Sequence, residues 1–124
     1  RTPLARIAGR GAAANGPQFF GEAPVEAANL ALKRAGIGWE DVSAVELNEA
    51  FATQSLASMR RLGLDPETVN ADGGAIALGH PLGSSGSRLV VTLLGRMERE
   101  GADRGLATMC VGVGQGSAML VEKV

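Results

Sequence analysis

Three runs of apolar residues at helical spacing, each closed by a glycine, constrain this chain more than any other feature. Val25, Ala28, Leu32 and Ala35 share one face before Gly36, and Pro24 suits the first turn of a helix. Phe51, Ser55, Met59 and Leu62 lie on one side of a second helix, from about Glu49 to Leu62, before Gly63. Leu89, Val90, Leu93, Leu94 and Met97 form the third stripe before Gly101, with Ser84 or Ser85 as its cap. Between and around them run shorter segments that read as strands. They are a weak alternation around Leu4 and Ile7, the run Val42–Asn48, and the closing pair LATMCVGV and GSAMLVEKV around a glycine turn. Asn15–Pro24 is a loop, marked by Asn-Gly and two prolines. Strands alternating with helices, then a terminal strand pair, predict an α/β layered domain with a mixed sheet. The 124 residues show no repeat, linker or charge block and fit one domain, 1–124, with a core of its own.

Several function classes are disfavoured by composition. A formal charge of −1 offers no electrostatic footprint for nucleic acid or an anionic membrane. Trp39, Phe19, Phe20 and Phe51 are the only aromatic residues, too few for a base-stacking platform. No apolar run is long enough to span a bilayer, and no cleavable signal pattern opens the chain. Cys110 is the single cysteine, so no internal disulfide forms and a reducing compartment fits. The expected location is the cytoplasm; an organelle signal would have to lie on an upstream segment.

Glycine makes up 18 of the 124 residues, against a usual share of about 7%. Many of these glycines cluster at 73–86 and 112–116, where two of the three places able to carry chemistry lie. In VELNEAFA, residues 45–52, Asn48 falls where a strand hands over to a helix. It can act there as an N-cap, or as an amide holding a water or substrate oxygen at a strand's carboxyl end, where α/β sheets form their sites. In GGAIALGHPLGSSGSR, residues 73–88, the single histidine, His80, stands between Gly79 and Pro81. A lone histidine is commonly structural, but a loop of glycines with a proline fixes one imidazole where backbone can approach closely. In CVGVGQG, residues 110–116, Cys110 fits a core strand. The alternate glycines at 112, 114 and 116 then line one strand face with bare backbone, suited to amides aimed at an oxyanion. Neither the dinucleotide fingerprint nor a phosphate-binding Gly-Lys-Ser/Thr loop is present.

An Asn, a His and a Cys first suggest a papain-type hydrolase. Papain-like chains run Cys, His, Asn, however, whereas here the order is Asn48, His80, Cys110, without the papain signature around the cysteine. Taken together and in order, NEAFA, GGAIALGHPLGSSGSR and CVGVGQG resemble the three C-terminal signatures of the thiolase family, the acetyl-CoA acetyltransferases and 3-ketoacyl-CoA thiolases. The resemblance covers residues 2–124, beginning at PLARIAG. Related ketosynthases share the fold but typically carry two histidines where this chain has His80 and Cys110.

The resemblance implies a thiolase-like layered domain with a five-stranded mixed sheet and helices on both faces. The implied reaction is cleavage of 3-ketoacyl-CoA by CoA, or the reverse Claisen condensation. His80 then matches the histidine that activates the nucleophilic cysteine and contributes to an oxyanion hole. Asn48 matches the residue holding that hole's water, Cys110 the acid/base cysteine, and Gly112 the residue whose N–H helps form a second oxyanion hole. His80 and Cys110 are expected close together, beside Asn48, at the carboxyl edge of the sheet. No cofactor or metal is implied; the CoA thioester is substrate. Partners would be acyl-CoA, CoA, an N-terminal half, and further copies in a dimer or tetramer.

Two features depart from the family pattern. No second cysteine is present to carry the acyl group, as expected of an excised C-terminal domain or of one chain of a split enzyme. The loop FFGEAP replaces the more usual MGxGP, with Phe20 for Met and Ala23 for Gly, which bears on acyl preference. The competing class is a non-catalytic module on the same fold, whose hallmark would be loss of Asn48, His80 or Cys110.

Overall fold

The computed structural model describes residues 1–124 and contains four strands and four α-helices. They run β1 (Ala5–Ala14), α1 (Ala23–Ala35), β2 (Ala44–Leu47), α2 (Ala52–Leu62), α3 (Ala75–Leu78), α4 (Leu82–Glu100), β3 (Arg104–Val111) and β4 (Gln115–Lys123). Short 3₁₀ turns at Pro17–Glu22, Trp39–Asp41 and Gly112–Gly114 join some of them. Gly36, Gly63 and Gly101 each end a helix with φ of 73°, 67° and 67°, as their sequence positions predict.

The strands form one mixed sheet in the order β1-β4-β3-β2. β1 and β3 flank β4 antiparallel, and β2 lies parallel to β3 with Leu47 opposite Thr108. A parallel pair needs a crossover, and the segment carrying α2, α3 and α4 supplies it. The expected five strands are four. Where a fifth would lie, only Val69 pairs with Val45, in a single parallel bridge. Asn70 ends that pairing at once: it adopts φ 53° and turns its side-chain amide onto Leu47, whose N–H and C=O it bonds at 2.8 and 2.7 Å.

Helices cover both faces of the sheet. Ala27, Ala28, Ala31 and Leu32 of α1 pack on Leu106, Ala118 and Leu120. Met59 of α2 packs beside them on Val45, Leu47 and Val69. On the opposite face Leu89, Leu93 and Met97 of α4 meet Ala44, Ala107 and Val121. Each fully buried leucine contributes about 2 kcal/mol of transfer free energy.

The first strand is longer than the alternation around Leu4 and Ile7 suggests. Its body, GRGAAA, is weak in β propensity and is a strand because α1 lies almost on its backbone. A Cβ built on Gly11 would stand 1.8 Å from the carbonyl oxygen of Ala27. The small residues are therefore a packing surface for a helix. α2 begins three residues later than expected, because Phe51 is extended, at φ −146° and ψ 142°, and serves as the N-cap. Asn48 is consequently no cap.

Candidate active site at the carboxyl edge of β2 and β3

Asn48 follows β2 directly, and its N–H donates to Thr108 O at 2.9 Å, so the parallel ladder continues one step past the strand. Its side chain is fully buried, at 0% exposure. Strand alternation sends it, with Ala44 and Glu46, towards α4. There the Asn48 amide nitrogen lies 3.3 Å from Nε2 of His80.

The other ring nitrogen, Nδ1, lies 2.6 Å from Oγ of Ser85 in the first turn of α4. Where that hydroxyl gives its one proton to Pro81 O at 3.1 Å, it accepts from Nδ1–H, and Nε2 is then the bare nitrogen facing the Asn48 amide. Ser85 was expected as one of two candidate helix caps. Pro81 takes the cap position, no side chain caps the helix, and Ser85 holds the imidazole instead. Its spacing five residues after His80, one turn into a helix, was the available signal.

The His80 loop is tied to the end of β2 by Glu49. One carboxylate oxygen accepts from Asn70 Nδ2 at 2.9 Å, the other from the Ile76 N–H at 2.9 Å. Gly74 leaves room for that carboxylate; a Cβ there would stand 2.2 Å from it. Asn48 and Glu49 are thus adjacent residues with separate tasks, one touching the imidazole and the other holding its loop.

Cys110 is buried and free near the end of β3, opposite Gly116. Alternation places its side chain on the α1 side of the sheet with Leu106 and Thr108, whereas Asn48 leaves its strand on the α4 side. No hydrogen bond joins Cys110 to His80. Both residues stand at the carboxyl edge of the parallel pair. Burial pushes the Cys110 thiol up, against a smaller downward pull from its own backbone amide, and the imidazole takes no part in the shift. The thiol is therefore held protonated at neutral pH. Gly112 opens the turn Gly112–Gly114, which is pinned by the Asn15 N–H to Gly114 O bond at 2.9 Å. Val113 at its tip has φ 67°, a strained conformation for a β-branched residue.

Apolar side chains ring this edge in the open. Leu78 and Leu82 flank the His80 turn at 58% and 81% exposure, and Phe51 and Val113 are similarly uncovered. No group of His, Cys, Asp or Glu residues is arranged to hold a metal ion. No helix is long and apolar enough to cross a membrane.

An α/β domain that presents an amide-held imidazole, a protonated thiol and a glycine turn at one sheet edge is built like half of an acyl-transfer site. The family model described as "Thiolase, C-terminal domain" matches residues 1–123, and the chain belongs to that family. Beta-ketoadipyl-CoA thiolase of Pseudomonas aeruginosa is 53% identical over 99% of this chain and 31% of its own length. Cytosolic acetyl-CoA acetyltransferase of Mus musculus is 52% identical over 98% of this chain and 30% of its own. The crystal structure of human mitochondrial 3-ketoacyl-CoA thiolase superposes with a TM-score of 0.96 and 46% identity, covering 99% of this chain and 31% of that one. The chain therefore spans about a third of the length of these relatives.

Proposed function

We propose that this chain is the C-terminal half of a thiolase active site. The whole enzyme would cleave 3-ketoacyl-CoA with CoA to acetyl-CoA and a shortened acyl-CoA, or run the condensation in reverse. The observation that carries this reading is the imidazole held at both nitrogens, with its basic Nε2 facing the Asn48 amide. A histidine so fixed takes the proton of a nucleophilic thiol supplied by the preceding part of the protein. Once protonated, Nε2 becomes a donor to the thioester oxygen, alongside a water held by Asn48.

In cleavage, the nucleophilic sulfur adds to the 3-keto carbon, the C2–C3 bond breaks, and acetyl-CoA leaves as its enolate. That carbanion needs a proton at carbon. A thiol kept protonated by burial, as Cys110 is, is ready to give one. The Gly112 amide, in the second oxyanion hole, would stabilise the other oxyanion, the one on C3 that forms when the sulfur adds. In the second step the Cys110 thiolate takes the proton of free CoA, whose sulfur accepts the acyl group, and the nucleophile leaves with the proton held by His80. No cofactor enters, since the thioester itself supplies the activation. The same reading includes assembly into a dimer or tetramer. It also includes a cytoplasmic location, supported by the lone free cysteine and by the relative named cytosolic. A non-catalytic module is disfavoured by the presence of Asn48, His80 and Cys110 together.

The test is carried out on the polypeptide that joins this chain to its upstream segment. Cys110→Ser is expected to slow acetoacetyl-CoA cleavage by about 10²–10⁴-fold while sparing acylation of the nucleophile by labelled acetyl-CoA in a single turnover. His80→Ala is expected to slow both. Equal loss of both steps in Cys110→Ser would remove the carbon acid/base assignment.

A further inference from the structure

Between β2 and α4 lies a carboxylate–guanidinium pair that the catalytic reading does not use. Glu46 is fully buried, at 0% exposure, yet one of its oxygens has only Arg88 near it, Nη1 to Oε2 at 3.5 Å. Its second oxygen, the second Arg88 amine and Oδ1 of Asn48 are all buried without a protein partner. Replacing such a pair by apolar residues of similar volume is often neutral or stabilising, so packing does not account for it.

Its position in the fold does. Glu46 precedes Asn48 by two residues in an extended segment, so both side chains face α4. Arg88 follows Ser85 by three residues, so both lie on one face of that helix. Asn48 holds one nitrogen of His80 and Ser85 holds the other. A closed ring results, in which β2 links Glu46 to Asn48, the imidazole links Asn48 to Ser85, α4 links Ser85 to Arg88, and the ion pair returns to Glu46. The only other side-chain ties in that ring are the two bonds to the imidazole.

We propose that Glu46 and Arg88 are positioning residues: their pairing fixes the separation of the end of β2 from the start of α4, and so holds both hydrogen bonds of the His80 ring. This rests on the thiolase reading for its effect on rate, but not for its effect on the imidazole. A displacement of about 1 Å at a reacting group can cost on the order of 10²-fold in rate, so a loose spacer matters even where it touches no substrate.

The experiment compares the parent, joined to its upstream segment, with the apolar pair Glu46→Leu/Arg88→Met and with the isosteric Glu46→Gln. Four quantities are read: the melting midpoint, kcat and KM for acetoacetyl-CoA cleavage, and the ¹⁵N resonances of His80, assigned by their loss in His80→Ala. The apolar pair should melt at or above the parent. It should lose roughly ten- to hundredfold in kcat with KM within about twofold, and show averaged ring-nitrogen resonances in place of a single Nδ1–H tautomer. Arg88→Lys, which keeps a cation at the site, should retain more kcat than Arg88→Met. If the apolar pair fails to fold, Glu46→Gln carries the same readouts. A variant that melts like the parent and keeps the parental tautomer overturns the proposal. A parent with no cleavage activity would instead overturn the thiolase reading, and the ring resonances would still decide the positioning role.

Discussion

Glu46 shows what one residue can impose on the molecule's response to pH. Burial raises its carboxyl to about 7, opposed by Arg88 and then Arg96, and abetted by Asp72 and Glu49. A carboxyl near 4.5 in the unfolded chain and near 7 in the folded one binds its proton more tightly when folded. Its contribution to stability is therefore fully present below about pH 4.5 and is lost as pH rises through 7. The loss amounts to about 3 kcal/mol at most, as an order of magnitude. Glu46→Gln should flatten the denaturant-unfolding free energy between those two pH values and leave the protein more stable than the parent at pH 8; an unchanged pH profile would show that Glu46 is not the group responsible. Such a gain beside a loss of turnover would be the usual trade between stability and site geometry. Sequence reasoning singled out Asn48, His80, Cys110 and Gly112 from their setting at a strand end or among glycines and from the likeness of their motifs to the family's signatures. It passed over Glu46 because nothing local to a carboxylate in a strand says which distant side chain it meets, and it took Ser85 for a helix cap because a serine at a helix start most often is one.

Elements were legible where their periodicity was strong. α1, α2 and α4 turn the stripes their spacing predicts inward, with Ala35, Leu62, Val90 and Leu94 half-buried at their margins, apart from Phe51, which stays exposed as the cap of α2. β1 was read too short and α3 was missed. Each fails for the same physical reason, that a neighbour settles the local conformation. A strand of Gly and Ala has little preference of its own, and a single helical turn follows from the Glu49 carboxylate accepting the Ile76 N–H. The fifth strand came from family likeness; here Asn70 replaces it by bonding the edge of β2 with a side chain. Paired glycine substitutions test how far tertiary contact governs these elements. Gly11→Ala drives a Cβ to within 1.8 Å of the Ala27 carbonyl oxygen. It should destabilise the protein by roughly 3 kcal/mol by forcing α1 off the sheet. Gly95→Ala, in the interior of α4, meets only the far end of Arg99 at 3.4 Å and should stabilise by about 0.5–1 kcal/mol through helix propensity. Equal responses in thermal or denaturant unfolding would mean that α1 can retreat freely, and the close-approach account of β1 would be wrong.

At the scale of the whole molecule, the two faces of the sheet are unequally covered. α1 and α2 close one face. On the other, α4 packs over Ala44, Ala107 and Val121, and beside it an open groove runs past Arg10, Ala12, Met109 and Met119. Val91 on the outer side of α4 and Leu82 at its start are also bare, at 70% and 81% exposure. Open apolar surface of this kind fits a face that meets another protein segment. The chain spans about a third of its relatives' length, 31% in the Pseudomonas aeruginosa enzyme, and under the proposed reading an upstream segment would be the cover. The same surface borders the edge that carries His80, so one packing event would both bury the groove and deliver the nucleophile. Two behaviours should therefore change together when the upstream segment is joined. The 124-residue chain alone should bind a hydrophobic dye and show no acetoacetyl-CoA cleavage, because its one thiol, Cys110, is buried in the protonated form and nothing else can carry an acyl group. The joined polypeptide should lose most of the dye binding and gain turnover. A monodisperse short chain without dye binding would show that the groove needs no cover, and turnover by that chain, free of contaminating enzyme, would show that Cys110 itself is the acyl carrier.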